Sequence, residues 1–223
     1  MDNKVWILLA VVVVLTFGFQ YFLKRKGKKL SEELINGMMT MNKEEFFEKA
    51  NSRMARMTIP VYNNTFMKMN YCIMHHETKE MKRLIEFMEE RVRMNEKQEM
   101  AFLNLAFSFY LDEEDEKNCE KTFKRVKELL SKREDDDAKA VIEEMDLTLN
   151  VFIRKDPKAE TVLLKRIEES ESDEEKAVYL SRLAIYYINV DKKEKAKNYI
   201  KQALEKTKDE MIIEQLKQML ERI

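Results

Sequence analysis

Between Ala177 and Asp209 two amphipathic segments follow one another, the first carrying Leu183, Ala184 and Tyr187 and the second Ala196, Ile200 and Ala203, and earlier segments echo the pair. Apolar residues three and four apart line one face of an α-helix, and such a face is buried against another helix. Turn-forming residues point the same way. With 3 Gly and 2 Pro in 223 residues, the chain lacks the repeated tight turns of a sandwich or barrel and the glycine-rich loops that cradle nucleotide phosphates. The expected fold class is all-α, an α-solenoid of helical hairpins preceded by a single transmembrane helix and closed by a C-terminal capping helix.

The transmembrane expectation rests on Val5 to Leu23, nineteen residues without a charge. At about 1.5 Å per residue they reach about 28 Å, close to the hydrocarbon thickness of a bilayer. Trp6 and Tyr21 stand near the two interfaces, where an amphipathic ring satisfies both media. A cleaved signal peptide is opposed by the length of the run, by the lack of a small-x-small site after it, and by positive charge on the wrong side. Lys24, Arg25, Lys26, Lys28 and Lys29 follow the run. The positive-inside bias then predicts a single-pass protein of the cell membrane, with residues 1–4 outside and the helical domain cytoplasmic. The same five cations can meet anionic lipid. Beyond residue 29 the chain holds 35 basic and 41 acidic residues, a balance that disfavours nucleic acid as a partner.

After the basic segment 24–30, residues 31–59 read as a first helical pair, Ser31 to Met41 and Asn42 to Met57, with Asn42 and Glu45 at capping-box spacing. Pro60 interrupts the pattern, and residues 60–223 read as the repeat domain. Met81, Leu84, Ile85 and Met88 share one helical face. Phe102, Leu105, Ala106 and Phe109 share the next, followed by Cys119, Phe123, Val126 and Leu130. Val141, Ile142, Met145, Leu149 and Phe152 are expected to point inward, with Ala159, Leu163 and Ile167 on the helix after Pro157. Ser172 with Glu175, and Asp191 with Glu194, have capping-box spacing at the two helix starts of the 177–209 hairpin. A last helix from about Glu210 places Ile212, Leu216, Met219, Leu220 and Ile223 on one side to cover the end of the stack.

Met81, Cys119, Ala159 and Ala196 fall in register at separations of 38, 40 and 37 residues, an internal period. Leu183, Ala184 and Tyr187, followed by the small residues Ala196 and Ala203, resemble the tetratricopeptide-repeat pattern, with Ile200 in place of its usual aromatic. Leu105, Ala106, Phe109, Cys119, Phe123 and Val126 give a looser match. The resemblance covers roughly residues 60–208. It implies hairpins whose first helices line a concave groove for a peptide or partner helix. By register, those groove positions are Met100, Leu103, Phe107 and Tyr110 in one repeat and Val178, Ser181, Ile185 and Ile188 in another. Most are apolar, which predicts a hydrophobic peptide or amphipathic helix as the bound partner.

Catalytic signals are weaker. Cys72, His75, His76 and Glu80 form the one cluster with ligand-like i, i+4 spacing, short of the defined four-ligand set of a closed zinc site. Both histidines are adjacent and no nucleophile motif accompanies them. Two cysteines without framework spacing suit free thiols rather than a disulfide scaffold. The 16 methionines fill core gaps or mark an adaptable surface. The expectation is therefore a scaffold or adaptor without cofactor, metal or enzymatic activity, tethering an unidentified protein at the membrane. The alternatives are a metal-dependent enzyme and a self-associating structural protein.

Overall fold

The computed structural model describes residues 3–131, 133 and 135–223, and side chains from residue 20 onward. Among these residues there are twelve helices and no strand. They are α1 (Asn3–Gly37), α2 (Lys43–Ala50), α3 (Arg53–Thr58), α4 (Val61–Met74), α5 (Thr78–Arg91), α6 (Glu96–Asp112), α7 (Glu116–Leu130), α8 (Asp136–Phe152), α9 (Lys158–Glu169), α10 (Asp173–Asn189), α11 (Lys193–Lys206) and α12 (Glu210–Arg222). The chain divides into two compact units, Met1–Leu105 and Ala106–Ile223, within the stretch 60–223 that the period suggests as one domain. The division falls inside α6.

In the first unit, Leu34 of α1 joins Phe46 and Ala50 of α2, Ala55 of α3, and Met67 and Tyr71 of α4 in one core. The expected helix Ser31–Met41 is instead the lower part of the 35-residue α1. The expected helix Asn42–Met57 is broken in two, because Ser52 turns its hydroxyl to the Ala55 amide at 3.1 Å and starts α3 afresh. Asn42 does cap α2, accepting from the Glu45 amide at 2.9 Å. Most of the run 5–23 lies outside the residues whose side chains are described. Among the described residues no helix is long and apolar enough to cross a membrane.

In the second unit, α10 is the central helix and packs on α8, α9 and α11. Leu147 and Val151 of α8, Ala159 and Leu163 of α9, Leu183, Tyr186 and Tyr187 of α10, and Ala196 of α11 form one core. Leu180, Ala184, Ile200, Ala203 and Leu216 carry it on to α12. Ala184, Ala196 and Ala203 are fully buried, which lets the backbones of α10 and α11 approach. Phe152, expected inward, is 38% exposed, and Leu147 and Val151 occupy the inner face of α8 in its place.

The turns account for the scarcity of glycine. Among the described residues four non-glycine residues have positive φ, His76, Glu114, Lys155 and Asp191, and they stand 38, 41 and 36 residues apart, one after the first helix of each pair. At three of them the next amide reaches back five residues to a helix-end carbonyl: Glu77 to Cys72 at 2.8 Å, Asp115 to Tyr110 at 2.9 Å and Lys192 to Tyr187 at 2.8 Å. This is the helix-ending bond that glycine usually supports. It also corrects the reading of Asp191 as a cap. Asp191 has φ 56° and closes α10, while Lys192 takes the cap position of α11 and provides no side-chain cap.

Candidate functional site

Ser172 accepts the Glu175 amide at 3.1 Å and fixes the start of α10. From that start, Leu183 and Tyr187 fall on the core face, and Val178, Ser181 and Ile185 fall on a second face at spacings of three and four. These three side chains line a cavity of about 170 Å³, whose opposite wall is Ile212, Gln215, Leu216 and Met219 of α12. Asp209 holds α12 in place by accepting from the amides of Met211 and Ile212. Val178 is 38% exposed at the opening. Ser181 donates its hydroxyl to the Ala177 carbonyl at 2.6 Å, so the wall it forms presents little unsatisfied polarity.

One charged side chain, Arg182, borders the cavity, and it is held by Glu144, which also accepts from Arg166 at 2.6 Å. Burial pushes the Glu144 carboxyl up, but the hydrogen bonds from the two guanidiniums outweigh it and hold the group below its ordinary value. Arg182 is thus neutralised from behind, and the cavity presents mainly hydrocarbon.

The remaining sequence-predicted positions are placed differently. Ile188 packs against the core cluster of α8 to α11. Leu103 and Phe107 are 1% and 5% exposed, Met100 and Tyr110 are half-buried, and none of the four lines this cavity. The α12 wall is what the register argument missed. Its signal was present in Ile212, Leu216 and Met219, which sequence reasoning treated only as a cover for the end of the stack.

The cysteine and histidine cluster has structural partners. Cys72 is buried, and burial pushes its thiol up to about 12. His75 stacks on Tyr71 at 4.1 Å between ring centres, with its Nε2 2.7 Å from the Met38 carbonyl. His76 forms the left-handed turn. Among the described residues no three His, Cys, Asp or Glu side chains come together as a metal site.

No family model matches the chain, and neither a curated protein nor a solved structure matches it significantly.

Proposed function

We propose that this chain is a membrane-anchored adaptor of tetratricopeptide-like hairpins whose cavity between α10 and α12 receives an apolar anchor side chain from a hydrophobic peptide or amphipathic helix. The observation that carries the reading is the convergence of Val178, Ser181 and Ile185 on one apolar cavity with the α12 wall. Its size is close to the roughly 150 Å³ apolar cavities that stay dry and accept a ring-sized group. Burying one leucine or phenylalanine there is worth about 1.5–3 kcal/mol, enough to anchor a helix whose other contacts fix its register. Support for the anchor is the uncharged run Val5–Leu23 within α1, followed by the exposed cations Lys24, Arg25, Lys26, Lys28 and Lys29. On this reading the helical units face the cytoplasm.

A photo-crosslinking residue at position 178 of the full chain, with and without Ile185→Asp, tests the groove. The expected outcome is a partner crosslinked through an apolar side chain and lost in the variant. Identical crosslinked species in both chains would reject it. Protease added to right-side-out vesicles tests the topology, and digestion of the helical units from outside would refute the cytoplasmic placement.

A further inference from the structure

The first unit contains a second cavity, of about 330 Å³, on whose wall stand Asn51, Arg56, Asn64 and Lys68, with Val61 and Phe87 at its apolar side. Asn64 is 8% exposed and donates its Nδ2 to the Ala50 carbonyl at 2.8 Å, which fixes the amide and leaves Oδ1 buried without a donor. Buried acceptors of this kind are few in folded proteins, and each marks a place where a donor is wanted. Among the described residues Lys68 donates to the Asn51 side-chain oxygen, at 2.6 Å. Neither Lys68 nor the exposed Arg56 is ion-paired to a carboxylate among the described residues. Burial pushes the Lys68 ammonium below its ordinary value against the pull of Glu80, with a smaller push in the same direction from the Arg56 charge. The α4 helix also starts at this wall, at Val61, without a side-chain cap, so the positive end of its dipole is not neutralised. The cavity therefore combines two cations without a carboxylate partner and an uncapped helix start. A ligand that satisfies them carries an anion.

The position of the cavity along α1 indicates where such a ligand comes from. After α1 the chain climbs back along the same helix. The Met41 amide meets the Gly37 carbonyl at 2.8 Å, Lys49 meets Glu33 at 2.6 Å, and Thr58 lies against Gly27 so closely that a Cβ there would be 2.7 Å from the Thr58 Cβ. Gly27 is four residues past Leu23, about 6 Å along a helix. The headgroup layer on each side of the hydrocarbon is about 5–7 Å thick. If α1 continues the proposed membrane span, Thr58 and the adjoining Arg56 and Val61 stand at headgroup depth. Met57 and Val61, 52% and 57% exposed, then project at the lipid boundary, where apolar side chains beside basic ones are favoured.

We propose that this cavity binds the phosphate headgroup of an anionic lipid, of the phosphatidylglycerol or phosphatidylinositol type, from the leaflet on which the first unit sits. Arg56 and Lys68 hold the phosphate. The five cations of the juxtamembrane segment lie on the exposed side of α1 and act as a diffuse field, whereas the cavity is a stoichiometric site. The inference rests on the membrane-anchor reading, and its test separates the two.

The full chain in non-ionic detergent is titrated with dihexanoyl phosphatidylglycerol, dihexanoyl phosphatidylcholine and inorganic phosphate, with bound lipid counted by native mass spectrometry. One phosphatidylglycerol per chain is expected, at least about tenfold tighter than either control. Arg56→Gln alone weakens it about fivefold and Arg56→Gln with Lys68→Gln about thirtyfold, while glutamine at all five juxtamembrane cations leaves it within about twofold. Equal binding of phosphate and phosphatidylglycerol makes the cavity a free-anion site and overturns the proposal. So does an unchanged affinity in Arg56→Gln, whose exposed side chain is no part of the core. Co-flotation with neutral phosphatidylcholine vesicles in high salt scores the anchor independently: a chain that floats but shows no headgroup preference keeps the anchor and loses the site.

Discussion

Replacing Glu114 by glycine should stabilise the second unit, although glycine is normally the most destabilising of the non-proline residues near a helix. Glu114 has φ 51°, a region in which a Cβ crowds the following carbonyl, at a cost of about 1–2 kcal/mol for a residue other than glycine. Its side chain is exposed, so its removal opens no cavity. The bonds that define the turn, from the Glu114 amide to the Leu111 carbonyl at 3.1 Å and from the Asp115 amide to the Tyr110 carbonyl at 2.9 Å, are backbone bonds that glycine retains. Against the relieved strain stands the larger freedom of glycine in the unfolded chain, about 0.4–1 kcal/mol. The difference leaves a net gain of about 0.5–1 kcal/mol. Lys124→Gly, at an exposed position inside α7, serves as the opposite control and should cost about 1 kcal/mol. Urea unfolding of the full chain in mild detergent, followed by helical circular dichroism, reads both. A Glu114→Gly chain that unfolds at lower urea than the wild type, as Lys124→Gly should, would refute the argument that the repeated left-handed turn is a strained position.

Gly27→Val should loosen α1 from α3, since the new Cβ would meet the Thr58 Cβ at 2.7 Å and its carbonyl oxygen at 2.9 Å; a loss of about 1–3 kcal/mol, measured by the same urea midpoint, is expected, and an unchanged midpoint would mean that α1 does not pack there. The Arg154 guanidinium, hydrogen-bonded to Glu120 at 2.6 and 2.9 Å, holds that carboxyl below its ordinary value. Because the folded-state value is depressed, the stabilisation is present above the unfolded value of about 4.3 and is lost as pH falls through the folded one. Glu120→Gln should therefore lower the urea midpoint at pH 7 and narrow the difference from wild type near pH 3, and a difference that stays constant with pH would sink the assignment.

Much of the fold was legible because helix pairing is written in local patterns. Met81, Cys119, Ala159 and Ala196, aligned by period alone, are all fully buried. Asn95 and Gln98, at the three-residue spacing that marks a helix start, exchange hydrogen bonds at 2.9 and 3.1 Å at the beginning of α6. Asp135, an acidic residue just before the apolar face of α8, caps that helix by accepting from the Ala138 amide at 2.8 Å. The left-handed turns escaped sequence reasoning because Glu and Lys carry no signal for positive φ and the preference of His and Asp for it is weak, so the geometry there is imposed by the helices on either side. The break at Asn51 and Ser52 escaped as well, since the apolar period runs on through it while the chain turns.

The candidate sites divide along the same line. Val178, Ser181 and Ile185 could be placed on one face from spacing alone, because a helix fixes the angle between its own side chains. Leu103 and Phe107 obey the same spacing, yet packing leaves them almost fully buried. Whether a face is a groove depends on what covers it, which is a property of neighbours distant in sequence. The sequence by itself determined that the chain is helical, where its pairs repeat and which small residues permit close approach, since these follow from periodicities of a few residues. Only the tertiary structure decided that α12 faces α10 across an open cavity and that Asn64 is buried with an unpaired oxygen beside Lys68. Both depend on distances between segments whose separation in the chain encodes none of them.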